Sequence, residues 1–416
     1  VEQSSTLWNG SWVEEEPMSP FRLENVPVHC LLLLGATCAC ASAELPAPPD
    51  PDPERGALGV AAQALGCSEG ERLFTRETFG GNGRTCATCH SAETGTVSPE
   101  DARRRSRMDE HDPLFLHDGS DDGAGHGVER MLADATVLVE IALPPNVSLA
   151  GDPSARSVTV RRGIPSTLDT PALDPVLMLD GRQPSLEAQA AGAAHDHAQS
   201  ATPPTPEQLR AIAAFEQSDA FFSSRALRQF ARGGPPPDLP RGRTRAEQRG
   251  RRFFEDVAPG ASGKLGLCAG CHSGPMLNES NEFLPFPLPV GSRFQTVGVS
   301  ELNRAQNPVY DFVFTAPDGS TKIISSPDPG RALITGLADE SLGEHVNAFK
   351  TSSLWGVART APYFHDNSAK TLEDVAAHYA DFFAVVTDPD GPGPAGPAVV
   401  LTPRDQADIV AYLELL

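Results

Sequence analysis

Basic residues are scarce in this chain of 416 residues: 33 Lys and Arg stand against 55 Asp and Glu, for a formal charge of −22. That deficit argues against a nucleic-acid partner, because a phosphate-binding surface needs a basic face. Aromatic residues are also few, at 6%, while Gly (37) and Pro (39) are plentiful. The balance points to helices joined by long loops rather than to a β-sandwich. Long apolar runs are missing as well. The run at residues 31–43 (LLLLGATCACASA) is too short to span a bilayer, and no later stretch is long and apolar enough to be a membrane helix. What is present excludes a fully disordered chain: 39% of residues are hydrophobic, and several segments are clearly periodic. The length favours two or three domains.

The short apolar run ends in Ala41-Ser42-Ala43, the small-residue pattern that signal peptidase cuts, and reads as a secretory h-region. Upstream of it, Arg22 alone faces Glu2, Glu14, Glu15, Glu16 and Glu24. Met18 therefore reads as the natural start, with residues 1–17 as translated non-native sequence. Residues 1–43 are expected to be a leader, and the mature chain is expected in the periplasm or otherwise exported. The rival is a lipid anchor on Cys38 or Cys40, but neither has Leu three residues before it.

Cysteine accounting exposes the chemistry. Of eight cysteines, Cys30, Cys38 and Cys40 lie in the leader, and Cys67 reads as a small buried hydrophobe. The other four form two copies of one pattern, Cys86-Ala87-Thr88-Cys89-His90 and Cys268-Ala269-Gly270-Cys271-His272. This is the attachment sequence of c-type haem. Two thiols one helical turn apart can form thioethers to both vinyl groups of one haem, and the adjacent His presents its imidazole to the iron. A structural zinc site or a redox dithiol are the competing readings. Two copies behind an export signal favour two covalently bound haems, with Cys86, Cys89, Cys268 and Cys271 as tethers and His90 and His272 as iron ligands.

The motifs fall in separate halves. A helix-like stretch from Gly59 to Phe79, with Leu65, Leu73 and Phe74 on its apolar face, leads through Gly80-Gly81-Asn82-Gly83 into the first motif. Thr205-Pro206-Glu207-Gln208 starts a further helix with a capping box and carries Leu209, Ile212, Ala213 and Phe215. The proline-rich stretch Gly233 to Pro237 is a stiff linker. Thr244-Arg245-Ala246-Glu247 opens the second half, and Thr402-Pro403-Arg404-Asp405 caps an amphipathic terminal helix. Residues 290–325 read as short strands or loops. The expected organisation is a leader (1–43), an N-terminal haem domain (44–232), a linker (233–243) and a C-terminal haem domain (244–416).

Three segments carry a resemblance. GGNGRTCATCH, RRGIPSTLDTPALDPVLMLDGRQPSLEAQA and FKTSSLWGVARTAPYFHDNSAKTLEDVAAHY are similar to the first haem segment, the inter-haem crossing and the C-terminal signature of the bacterial di-haem cytochrome c peroxidase and MauG family. The resemblance implies a mainly α fold of two cytochrome c-like domains, each with one covalently attached haem, joined by long loops. It implies an exported oxidoreductase that activates hydrogen peroxide at the first haem and takes electrons through the second from a small cytochrome or cupredoxin. MauG-like oxidation of a larger substrate and a non-catalytic electron carrier are the alternatives. Homodimers are common among relatives, so a homodimer follows by analogy.

Residue by residue, the resemblance makes His90 and His272 the proximal ligands and Tyr379 the axial ligand of the second haem, as in MauG-like members. A phenolate-leaning ligand stabilises ferric iron relative to a thioether; the plain alternative is that Tyr379 packs with Val375 and Phe383. Gln189 matches a distal-pocket Gln. The family's catalytic Glu aligns with Gln199, which cannot shuttle a proton, so His197 is the candidate base, oriented by Asp196 or His195. Ligation of iron by His197, or exposure to solvent, are its other readings. Leu179 stands where an electron-relaying Trp is common, and Trp355 where an Arg usually lies near a haem propionate. Backbone carbonyls of Thr360 and Pro362 match two ligands of the family's calcium ion, whose Asn ligand has no counterpart at Gly163.

Overall fold

The computed structural model describes residues 69–284, 288–339, 343–387 and 398–416. The expected leader and Cys67 lie outside the described residues. Of the stretch expected to be helical from Gly59 to Phe79, residues 69–76 form the first helix, α1, and bury Leu73 and Phe74, while residues 59–68, with Leu65, lie outside the described residues. A one-turn helix α2 (Cys86–Cys89) carries the first motif and is closed by a reciprocal Thr85/Thr88 capping box. Helices α3 (Pro99–Met108) and α4 (Glu129–Asp134) follow.

Strands then intervene where the motifs had pointed to helices and loops. Strand β1 (Thr136–Ala142) pairs antiparallel with β3 (Ser157–Gly163), Val139 facing Val160. β2 (Val147–Leu149) pairs with β5 (Tyr310–Thr315), which pairs in turn with β6 (Thr321–Ser326). β4 (Phe294–Gln295) pairs with β7 (Phe349–Lys350). The cause is local: TVLVEIA and SVTVRRG alternate buried and exposed residues and are rich in β-branched side chains. Residues 290–325 divide into short strands, loops and one helical turn, α10 (Val299–Leu302). The fold therefore combines helices with small sheets.

The remaining helices are α5 (Thr170–Leu173), α6 (Leu186–Asp196), α7 (Pro206–Glu216), α8 (Arg225–Ala231), α9 (Arg245–Arg251), α11 (Ala332–Thr335), α12 (Leu372–Val386) and α13 (Pro403–Leu413). The capping boxes read at Thr205, Thr244 and Thr402 are all formed. Residues 233–243 hold no helix or strand.

Two large apolar cores form among the described residues, and each draws on both sides of the linker. One is built from β1, β3 and residues 97–131, with Phe312, Phe314, Ile324 and Leu333 from the second half. The other joins α9, α12 and α13 and takes in Leu227 from the first half. No helix among the described residues is long and apolar enough to cross a membrane.

Candidate functional site

Each motif His makes the same local bond. His90 Nδ1 lies 2.8 Å from the carbonyl of Gly95, and His272 Nδ1 lies 2.8 Å from that of Leu277, in both cases five residues on. A carbonyl oxygen only accepts, so Nδ1 carries the proton in both rings and Nε2 keeps its lone pair. Burial holds both imidazoles below their ordinary range, His272 at about 4. Neutral imidazoles with an engaged Nδ1 are the form that ligates a metal.

Each His opens on a cavity. The larger, of about 260 Å³, is lined by Cys268, Cys271, His272, Tyr379, Thr360, Pro362, Trp355 and His365 among others. The smaller, of about 120 Å³, is lined by Cys89, His90, Gln189, His197, Arg84, Asp118 and Glu216 among others. Cys86 is the helical-turn partner of Cys89 in α2. The structure thus gathers the residues read from the sequence into two groups, one per motif. Burial pushes the Cys86 and Cys271 thiols up to about 12 and raises Cys89 and Cys268 as well. Such buried thiols are not free thiolates, which sets them apart from a solvent-accessible reactive dithiol. Among the described residues, no group of three or more His, Cys, Asp or Glu side chains is placed to hold a metal ion.

Two orphaned polar groups test the fit of a missing group. Gln295, buried at the wall of the larger cavity, has no partner for either amide atom, and one carboxyl oxygen of Glu216 in the smaller cavity is likewise unpartnered. Close-packed interiors rarely hold such voids or leave buried polar atoms unpaired. Cavities that begin at an attachment motif and present unpaired polar atoms fit haem with its polar propionates.

The crossing segment, with Lys350 of β7, forms the shared wall. Gly163, Ile164, Pro165, Ser166, Leu179 and Lys350 line both cavities. Ser166 Oγ donates to the Thr94 carbonyl (2.7 Å) beside the first motif, and Asn278 beside the second donates to Asp174 (3.0 Å). Arg162, fully buried at the base of this wall, holds Asp180 (2.5 Å) and Asp328 (2.7 Å). Gly163 is required to be small: the Asn367 carboxamide oxygen lies 2.1 Å from where a Cβ would stand. A side chain from the C-terminal signature thus occupies the space beside Gly163.

The expected partners of His197 are not the ones it has. His195 is 85% exposed and pairs only with Asp196, so neither orients His197. That part is taken by Asp118, whose Oδ2 lies 2.5 Å from His197 Nδ1 and whose Oδ1 accepts from Arg84. Burial works to raise the Asp118 carboxyl, but the His197 hydrogen bond and Arg84 outweigh it and hold it below its ordinary range. Gln199 hydrogen-bonds Asn82 in the loop before the first motif. Arg105, on α3, grips Asp112 and the Thr88 carbonyl. Trp355 packs in the second core and donates to the Pro275 carbonyl. Tyr379 packs against Phe383, and burial raises its phenol well above the ordinary value.

Several chains of known structure are similar to this one. Two are a MauG-like protein and a di-haem peroxidase. The first, a MauG-like protein associated with microbial copper homeostasis, is 20% identical over 85% of this chain and 88% of its own, with a TM-score of 0.46. The diheme peroxidase BthA from Burkholderia thailandensis E264 is 17% identical over 84% and 85%, with a TM-score of 0.44. Kuenenia stuttgartiensis hydrazine synthase is 16% identical over 77% and 93%, with a TM-score of 0.32. No protein-family model and no curated protein matches the chain.

Glu216 was not singled out from the sequence and has a measurable consequence. Burial, with a smaller push from Glu187, raises its carboxyl to about 8. An acid whose pKa is raised in the fold contributes stability below its unfolded value and loses it as pH climbs to the folded one. Thermal stability of the wild type is therefore expected to fall between pH 4.5 and 8, by up to about 1.4 kcal/mol per pH unit from this group. Glu216→Gln should flatten that slope, and parallel slopes for the two proteins would refute it.

Proposed function

We propose that this protein is an exported di-haem oxidoreductase in which the smaller cavity is a peroxide site and the larger cavity holds an electron-transfer haem. The observation that carries it is the repeated geometry: each C-x-x-C-H histidine donates Nδ1–H to a carbonyl and leaves Nε2 free beside a cavity. Cys86, Cys89, Cys268 and Cys271 would tether the haems, and His90 and His272 would ligate their irons. When bound, the haem iron supplies the site for a peroxide oxygen and the path for its electrons.

The chain's own residues supply the rest. His197 Nε2 has no hydrogen bond among the described residues, so the ring can take a proton from one oxygen of hydrogen peroxide and return it to the other. Gln189, on the same wall, can hold the peroxide by its carboxamide. Reduction of hydrogen peroxide to two molecules of water consumes two electrons and two protons. The electrons would come from a small cytochrome or cupredoxin, with a homodimer as the assembly. Thr360, Pro362 and Asn367 all line the larger cavity and could serve a calcium ion by their oxygens.

Tyr379 favours a second reading. Its phenol is in the same cavity as His272, and a Tyr-ligated iron is better suited to store an oxidising equivalent for a larger substrate, as MauG-like proteins do. Mixing the ferric protein with hydrogen peroxide should change the optical spectrum and deplete the ferric EPR signal within seconds. If Tyr379 is a ligand, Tyr379→Phe should also alter the EPR signal of the second haem before peroxide is added. No spectral change at any redox level would refute both catalytic readings and leave an electron carrier.

A further inference from the structure

We propose that Asp118, clamped by Arg84, is the positioning residue that fixes the His197 imidazole with Nδ1–H bound and Nε2 free at the wall of the smaller cavity. The inference rests on the reading of that cavity as the peroxide site and deepens it. An ionised carboxylate only accepts, so the Asp118–His197 contact leaves the proton on Nδ1 and the lone pair on Nε2. A neutral imidazole free to choose its tautomer would spend part of its time with the wrong nitrogen protonated.

Arg84 makes the arrangement rigid. All five of its N–H groups are engaged: Nε with Pro113 O (2.8 Å), Nη1 with Asp118 and the His197 carbonyl (3.2 Å), and Nη2 with Leu114 O (2.9 Å) and Leu116 O (2.5 Å). Arg84 thus grips both the carboxylate that holds the imidazole and the backbone that carries it. It also lies two residues before Cys86, so the base is indexed to the tether of the first haem. The same loop buckles to the end of α6 again. Asn82 donates from Nδ2 to the His197 carbonyl (3.0 Å) and from its backbone to Ala198 O (2.9 Å). Ala198 O lies 2.0 Å from where a Gly81 Cβ would be, so only glycine permits this approach.

Other charged or titratable groups face the same cavity: His90, Arg162, Arg182, Glu216 and Lys350. Arg162, Arg182 and Lys350 are each paired with carboxylates, Asp180 and Asp328 for the first, Asp180 for the second and Asp174 for the third. Asp118 is the carboxylate bonded to His197 itself.

Cyanide association tests the proposal on the ferric protein with both haems in place. Hydrogen cyanide must give up its proton to bind iron as cyanide, so its rate reads the base without turnover. Stopped-flow rates between pH 5 and 9 are compared for wild type, Asp118→Asn, His197→Ala and the double variant. Each single change should slow association at pH 7 by about 100-fold. The double variant should be no slower than either, because Asp118 acts through His197. The acid limb of the pH profile should move to lower pH in Asp118→Asn, since loss of a neighbouring negative charge makes the imidazolium easier to deprotonate.

Losses that multiply, or an Asp118→Asn rate within twofold of wild type, would overturn the proposal. Arg84→Lys gives an independent arm in which Asp118 and His197 remain: a slower rate with an unmoved acid limb supports the clamp, and a wild-type rate overturns it. Hydrogen peroxide run in parallel separates the two readings. The cyanide pattern without peroxide reactivity upholds the positioning role and refutes the proposed activity. A first haem that binds neither overturns both.

Discussion

Replacing Cys268 and Cys271 together by alanine is expected to leave one covalent haem in place of two, in a protein close to unfolding. The cavity beside these residues measures about 260 Å³. At roughly 24 cal/mol per Å³ of void, leaving it empty costs about 6 kcal/mol, against a net stability of about 5–15 kcal/mol for a typical domain. Its wall is the second core, where Phe254, Trp355, Tyr379, Phe383 and Leu413 meet. The variant should therefore accumulate poorly, melt well below wild type and yield a mass one haem lighter. A wild-type melting temperature with the second haem absent would show that the cofactor does not hold this core together.

The second large effect falls on reactivity and spares assembly. His197→Ala should retain both haems and melt near wild type, because the side chain is at the cavity wall and about 30% exposed. Its reaction with hydrogen peroxide should slow by a factor on the order of 100 to 10,000, the range of a positioned acid–base group. Exogenous imidazole should restore part of the rate. Wild-type kinetics in His197→Ala would move the proton-transfer role to another group at the same wall, of which the raised acid Glu216 is the first to try.

How much of this was legible in the sequence follows from the range of each signal. Capping boxes are written within three or four residues, and those at Thr205, Thr244 and Thr402 are formed, while each C-x-x-C-H segment makes the short helical turn its spacing suggests. The sheets escaped because their alternation occupies only β1, β3 and β5, between strong haem and helix signals. Glu216 left a usable trace: it continues the apolar stripe of Leu209, Ile212 and Ala213 on α7, where an acid has no reason to be unless buried on purpose. Arg84 was visible too, inside the segment that resembles the family, yet nothing local shows that its guanidinium turns inward. Asp118 left no trace. It meets His197 from 79 residues away, out of a Gly/Asp-rich stretch that reads as solvated loop, and only the tertiary fold makes the pair. His195 and Asp196 were chosen for nearness in the chain, but both point outward at the end of α6.

Both proposed sites require a porphyrin bonded to cysteine. The most direct measurement is the intact mass of the protein under denaturing conditions, after expression in a host able to attach c-type haem, with each haem localised by peptide mapping. The expected result is two haem increments, one on the peptide with Cys86 and Cys89 and one on the peptide with Cys268 and Cys271. A polypeptide of unmodified mass, or haem that leaves with acid and organic solvent, would contradict it.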